Sequence, residues 1–365
     1  MFSGMRNTRA FNLGGVRIGG GAPVTVQSMT NTDTRDAAAT LAQIRELAAA
    51  GCDIVRVAVP DEAAASAVKA IVAGSPIPVI ADIHFDYRLA VAAMESGAHG
   101  IRINPGNIGE AWKLKEVVRV AVERGVPVRV GVNGGSLEKE RLARFGGATP
   151  EALVESALLS CARVEEAGCS AIKVSLKSSS VPDTVRAYRL FAARTDYPLH
   201  IGVTEAGTLL GGTVKSAAGI GALLLDGIGE TLRVSLTAPP VDEVNIGIRI
   251  LEAVGLREAH PEIISCPTCG RTQIALLPIV AAVENEIARL KKEGLEIRLR
   301  KVAIMGCVVN GPGEARDADI GIAGGNGSGV LFRQGKVVQS LSEAELLPAI
   351  LAEIRAAAVP ASGPR

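Results

Sequence analysis

The chain has 365 residues, 48% hydrophobic but only 3% aromatic, with 41 glycines; that is too long for one ordinary domain, and its Ala, Val, Ile and Leu suit parallel strands covered by helices. Its 39 basic and 38 acidic residues leave a charge of +1, which excludes a field for polyanions such as nucleic acid, so any anion must be recognised locally. No apolar run approaches the roughly 18 residues that cross a bilayer and MFSGMRNTRAFNLGG lacks a signal-peptide core, so we expect a cytoplasmic protein whose six cysteines are not a disulfide framework.

From residue 24 to about 255 a β-branched run, a helix-period stretch and a Gly or Pro turn recur. The runs are VTVQSM (24–29), IVRVAV (54–59), VIADIH (79–84), GIRIN (100–104), VRVGVN (128–133), AIKVSL (171–176), LHIGVT (199–204) and TLRVSL (231–236). Eight strands alternating with helices predict an α/β fold, a (β/α)8 TIM-type barrel. A doubly wound sheet is disfavoured, since no G-x-G-x-x-G follows the first strand. Cys52, Cys161 and Cys169 fall in apolar helical or helix-to-strand contexts and read as buried structural thiols.

Charges inside these runs carry the functional reading. Side chains alternate faces along a strand, so if the aliphatic set packs under the helices, the other parity faces the barrel axis. That places Gln27, Arg56, Asp82, His84, Arg102, Asn104, Arg129, Asn133, Lys173, Ser175, His200, Thr204, Arg233 and Ser235 inside. Five cations (Arg56, Arg102, Arg129, Lys173, Arg233) face two acids, Asp82 and Glu205. A lumenal salt-bridge network is one account; an anion carrying about two phosphates is the simpler one, because buried cations need a partner and barrel sites lie where the strands end. NPGN (104–107), VNGGS (132–136) and TEAG (204–207) each follow a strand and offer backbone N–H groups to phosphate. Glu205, at a strand exit among cations, is the better candidate for proton transfer.

A domain boundary is expected at 255–261 (GLREAHP), separating a barrel over 1–255 from a smaller α+β domain over 262–365. The second domain reads strand, C-P-T-C loop, long helix (272–293), strand into MGC, GPG turn, strand, hairpin (VLFRQGKVVQS) and a last helix opened by a capping box of Ser342 and Glu345. Cys266, Cys269 and Cys307 make three thiol ligands. A zinc ribbon would bring a second C-x-x-C or a His pair, whereas three thiolates with a replaceable fourth ligand suit a catalytic 4Fe–4S cluster. Glu314, seven residues after Cys307 and past the GPG turn, is a candidate fourth ligand; equally, it is an acid favoured in a helix's first turn.

Together VQSMTNT, ADIHFDYRLA, IRINPGN, GVNGGSLEK, VTEAG, LRVSL, CPTCGR and GCVVNGPGEA resemble the GcpE (IspG) family of 4-hydroxy-3-methylbut-2-enyl diphosphate synthases, in the two-domain bacterial form. The resemblance implies two-electron reductive opening of 2-C-methyl-D-erythritol 2,4-cyclodiphosphate with loss of water. It implies a 4Fe–4S cluster on Cys266, Cys269, Cys307 and Glu314, with Glu205 as acid/base group. Flavodoxin or ferredoxin is the implied electron donor. Geometry adds an expectation about assembly: the eighth barrel helix returns the chain to the face opposite the strand ends, and the seven residues 255–261 reach at most about 25 Å. A head-to-tail homodimer, each cluster domain serving its partner's barrel, follows from that and is also implied by the resemblance.

Overall fold

The structure, a computed structural model, describes residues 4–258, 261–307 and 317–360. It divides into two compact units, Met1–Arg257 and Glu258–Arg365, each with its own core.

The first unit opens with strands β1 (Ala10–Leu13) and β2 (Val16–Gly19). Then come β3 (Thr25–Met29), α1 (Ala37–Ala49), β4 (Ile54–Ala58), α2 (Glu62–Gly74), β5 (Val79–Asp82), α3 (Tyr87–Glu95), β6 (Gly100–Ile103), α4 (Ala111–Arg124) and β7 (Val128–Asn133). It continues through α5 (Lys139–Phe145), α6 (Pro150–Glu166), β8 (Ile172–Lys177), α7 (Val181–Ala192), β9 (His200–Ile201), α8 (Leu209–Leu225), β10 (Thr231–Leu232) and α9 (Pro240–Ala253). Strands β3 to β10 form one parallel sheet in the order β8-β7-β6-β5-β4-β3-β10-β9. A parallel bridge between Val174 and Leu199 joins its two ends into the expected barrel. The aliphatic parity (Val55, Val57, Ile101, Ile103, Val128, Val130, Ile172, Val174) is buried under the helices. Asp36, Asp61 and Asp86 cap α1, α2 and α3, accepting from the backbone N–H of Ala39, Ala64 and Arg88. Capping fixes where three strand-to-helix turns end, all on one face.

Two features differ from expectation. The regular pairing of β9 and β10 covers two residues each, not six; toward the mouth the chain keeps only single bonds, such as Arg233 N–H to Ile201 C=O at 3.0 Å. The β1–β2 hairpin was not anticipated. Gly14 and Gly15 both hold positive φ (55° and 95°) at its turn, a conformation that two-residue hairpins favour. Leu13 and Ile18 then pack against Ile54 and Ile80, plugging the amino-terminal end of the barrel. Cys52, Cys161 and Cys169 are buried, as expected.

Closure is thinnest between β8 and β9, and Tyr188 reinforces it. Its hydroxyl donates to His200 C=O at 2.6 Å and accepts from Leu176 N–H at 3.1 Å, with the ring fully buried. Tyr188→Phe leaves both backbone groups buried without that partner. The expected loss is about 1–3 kcal/mol in denaturant unfolding of the barrel; unchanged stability would show that the seam does not depend on this hydroxyl.

The second unit contains β11 (Glu262–Ser265), α10 (Leu276–Lys292), β12 (Leu295–Ile297), β13 (Lys301–Met305), β14 (Ile320–Gly324), β15 (Ser328–Arg333), β16 (Lys336–Ser342), α11 (Glu343–Ala356) and β17 (Ala358–Pro360). Its main sheet has the order β11-β13-β14-β15-β16, parallel over the first three strands and antiparallel over the rest. Val283 and Ile287 of α10 and Leu346 and Ile350 of α11 share its core with Ile304 and Ile322. The Ser342–Glu345 capping box forms. α10 begins at Leu276 and not at 272 because the preceding residues are tied elsewhere: Thr272 N–H donates to Cys269 C=O at 3.0 Å and Gln273 N–H to Gly306 C=O at 2.9 Å. Among the described residues no helix is long and apolar enough to cross a membrane.

Candidate functional site

Strand parity brings the polar set into the barrel. Gln27, Arg56, Asp82, Arg102, Asn104, Arg129, Lys173, Ser175 and His200 are all buried. Asp82 is the hub: Arg102 Nη1 lies 3.2 Å from Oδ1, and Arg56 Nε at 3.5 Å and His84 Nε2 at 3.6 Å from Oδ2. Burial alone would raise this carboxyl, but Arg56, His84 and Arg102 outweigh it and hold Asp82 far below the usual range. Arg129 donates through Nε and Nη2 to Ser175 Oγ (3.2 and 2.9 Å). The Arg102 guanidinium lies across Gly131, where a Cβ would come within 2.6 Å of its Nε; the glycine in VRVGVN leaves it that room. Asn104 Oδ1 accepts from Gly106 N–H at 3.1 Å and shapes the NPGN turn. His84, Asn133, Thr204 and Ser235 sit toward the open end and are less buried.

Two site residues were not foreseen. Lys177 is buried and shares the parity of Lys173 and Ser175, but the expected run stopped at Leu176. Glu243, on α9, is buried and pairs with Arg233 (Nη2 to Oε2, 3.2 Å), while Leu236 N–H donates to its Oε1 at 2.9 Å. No strand periodicity could reveal a helix residue. One expectation is corrected: Glu205 is not a lumenal counter-ion. Its side chain is exposed, and among the described residues no ion pair forms to it; Asp82 and Glu243 serve the cations. The reason is local backbone. Glu205 lies past the end of β9 with φ 51°, a left-handed conformation that costs a non-glycine residue about 1 kcal/mol, so its place at the strand exit does not aim it at the lumenal cations.

Electrostatics now favour an anion more strongly. Among the described residues six cations (Arg56, Arg102, Arg129, Lys173, Lys177, Arg233) face Asp82 and Glu243, with Glu230 also acting on Lys173. Lys173 Nζ, Arg129 Nη1, His200 Nε2 and the Gln27 amide are buried without a hydrogen-bond partner among the described residues. Burial, with Arg129 and Arg56 adding, pushes Lys173 well below the lysine range; burial with Arg129, Arg233 and Arg56 does the same to Lys177. Arg129 is lowered by burial and by Arg56 and Arg102. Such a cage gains most from a multiply charged anion with oxygen acceptors. Lys173 lies four residues below Lys177 on β8, about 13 Å along the strand, bordering the gap shared by Arg129, Ile80 and Leu13.

The second candidate site is at one end of the other unit's sheet. β11 and β13 pair with Ser265 opposite Ile304, so Cys266 and Cys307 leave adjacent strand ends. Gly306 N–H donates to Cys266 Sγ at 3.1 Å, and Cys269 N–H donates to Thr272 Oγ1 at 3.2 Å. The backbone N–H and guanidinium of Arg271 lower the exposed Cys269 thiol, which favours the thiolate that binds metal. Among the described residues no three Cys, His, Asp or Glu side chains converge at metal-binding geometry. Glu314, the fourth expected ligand, lies outside the described residues. As a donor set, thiols in the segments that leave two neighbouring strands, one with an N–H to its sulfur and another biased toward thiolate, fit an iron–sulfur group.

Comparison with known proteins covers both units. The GcpE TIM-barrel domain matches residues 8–248 and the GcpE protein C-terminal domain residues 262–356. A 4-hydroxy-3-methylbut-2-en-1-yl diphosphate synthase (flavodoxin) of Geobacter sulfurreducens is 60% identical over 347 residues, 95% of this chain and 97% of its own. Proteins of the same name from Maridesulfovibrio salexigens (57% over 350 residues, 96% of each chain) and Caldanaerobacter subterraneus subsp. tengcongensis (56% over 347 residues, 95% and 96%) are similar along the same span.

Proposed function

The chain belongs to the GcpE family, and from that premise we propose that it opens 2-C-methyl-D-erythritol 2,4-cyclodiphosphate reductively to (E)-4-hydroxy-3-methylbut-2-enyl diphosphate, a step of non-mevalonate isoprenoid synthesis. Two electrons and two protons enter and one water leaves, as the ring C–O bond to phosphate and the C–OH bond break. The observation that carries the substrate reading is the cage of six cations, five of them buried and Arg233 half-buried, that outnumber the carboxylates serving them. A cyclic diphosphate brings the missing negative charge as oxygen acceptors, and Arg56, Arg102, Arg129, Lys177 and Arg233 hold it, with Lys173 adding its charge from deeper in the barrel. Asn104 and Asn133 begin the loops whose N–H groups reach phosphate. Gln27, Asp82, His84, Ser175, His200, Thr204 and Ser235 fix these cations or the sugar-derived hydroxyls. Glu205 holds a proton for the departing hydroxyl, and its exposed place at the strand exit suits a group that exchanges protons with solvent.

Cys266, Cys269, Cys307 and Glu314 would hold a 4Fe–4S cluster, which supplies low-potential electrons singly and an iron with a labile ligand. The relatives' name supports reduced flavodoxin as donor; a ferredoxin has the same chemistry. We assign the protein to the cytoplasm and to a head-to-tail homodimer, supported by the short 255–261 connection and the barrel helix that precedes it. Given the cyclodiphosphate and reduced flavodoxin without air, the protein should release the open-chain diphosphate. A sample of the Glu205→Gln chain mixed with the Cys269→Ser chain, each nearly inactive alone, should regain activity through one intact composite site. Demonstrated subunit exchange with no recovery would rule out that assembly, and a wild-type protein inert toward the cyclodiphosphate would rule out the activity.

A further inference from the structure

Between Arg56 and Arg233 stands a side chain with no role so far. β3 lies between β4 and β10 in the sheet, and Met29, its last residue, is opposite Arg56 in the register. Met29 Sδ accepts from Arg56 Nη2 at 3.0 Å and Nε at 3.3 Å, and Arg233 Nη1 lies 3.7 Å from the same sulfur. Each guanidinium also has a carboxylate behind it, Asp82 at 3.5 Å and Glu243 at 3.2 Å. Two like charges therefore meet at one uncharged sulfur.

The choice of a thioether there has a physical consequence. A leucine would fill the volume but leave buried N–H groups without an acceptor. A carboxylate would pair with both arginines and compete with any incoming phosphate. A thioether is polarizable, uncharged and only a weak acceptor, so it holds the guanidiniums in place and yields to a charge-assisted bond. Burial outweighs the pull of Asp82 and, with Arg233 and Arg102 adding, brings Arg56 down to about 10, consistent with a guanidinium short of negative charge.

We propose that Met29 is a positioning residue whose displaceable sulfur presets Arg56 and Arg233 as a clamp for one phosphate of the substrate, an inference that rests on the diphosphate reading above. Preset donors bind without first being ordered, so the effect falls on affinity and not on the chemical step. The test uses holoenzyme carrying Met29→Leu, Met29→Gln or Met29→Glu, with kcat and KM for the cyclodiphosphate and Kd for inorganic pyrophosphate. Met29→Leu should raise KM and Kd about fivefold, the worth of a weak hydrogen bond, with kcat and cluster absorbance unchanged. Met29→Gln, a neutral acceptor of similar reach, should return both to within about twofold of the parent, while Met29→Glu should weaken binding by more than about fiftyfold. A leucine variant that binds like the parent, or a glutamine variant no better than leucine, overturns the clamp. A parent that neither binds pyrophosphate nor consumes the cyclodiphosphate overturns the diphosphate reading and the clamp with it.

Discussion

Replacing Cys269 by serine should bleach the protein and cost at least about a hundredfold in turnover, since ligands of this kind are rarely dispensable. No thiol can substitute for it. Of the six cysteines, Cys52, Cys161 and Cys169 are buried in the barrel unit, and burial raises the thiol of Cys52 to about 12 and that of Cys161 further. Serine's hydroxyl is harder, and far less acidic than the Cys269 thiol, whose ionisation Arg271 already favours. Glu314→Gln should behave differently: the three thiols keep an iron–sulfur group, but most turnover is lost because the fourth position no longer exchanges as a carboxylate does. Iron content and visible absorbance separate the two outcomes. A Cys269→Ser protein with full iron and full activity would place the cluster elsewhere.

Arg129→Met should weaken pyrophosphate and cyclodiphosphate binding by about a hundredfold while leaving the empty protein as stable as the parent or more so. Truncating a charge usually costs stability, but here the cation stands among Arg56, Arg102 and Lys173 without enough carboxylate to serve them, and methionine keeps much of the volume. The lysines make the pH dependence run in opposite senses for folding and binding. Lys173 and Lys177 are lowered in the folded protein, so below the ordinary lysine value of about 10.4 the unfolded chain binds protons that the folded chain refuses. Their burial therefore costs stability at neutral pH, and the cost shrinks as pH rises toward that value. Binding a diphosphate restores the charges and takes up protons, so affinity should fall over the same rise. Chemical denaturation and pyrophosphate titration from pH 7 to about 9.5 check both slopes. Parallel slopes would mean that the lysines are already charged in the empty barrel.

The barrel was legible because strands announce their two faces. Alternation in VRVGVN or TLRVSL separates the face under the helices from the lumen without knowledge of the fold, and eight such runs allow few architectures. The same rule is silent where the backbone stops being a strand. Glu205 is expected among the cations from its place at a strand exit, where no parity aims it, and the left-handed turn there leaves its side chain exposed. Lys177 obeyed the rule and was lost only because the run was cut at Leu176. Glu243 reaches the lumen from a helix, and the hairpin Ala10–Gly19 shows in the sequence only as a Gly-Gly turn between short apolar alternations. In the second unit the C-x-x-C spacing identified the thiols, while the bonds that join their loop to Gly306 depend on which strands become neighbours, which spacing does not encode.

The central claim is that turnover of the cyclodiphosphate belongs to a cluster held by this chain. The most direct measurement loads the protein without air with graded iron and sulfide, and follows bound iron and product formation in the same samples with reduced flavodoxin in excess. Product formation should rise in proportion to bound iron and level off at about four irons per chain. A colourless, iron-free sample that turns over, or a fully loaded one that leaves the cyclodiphosphate intact, would contradict the account.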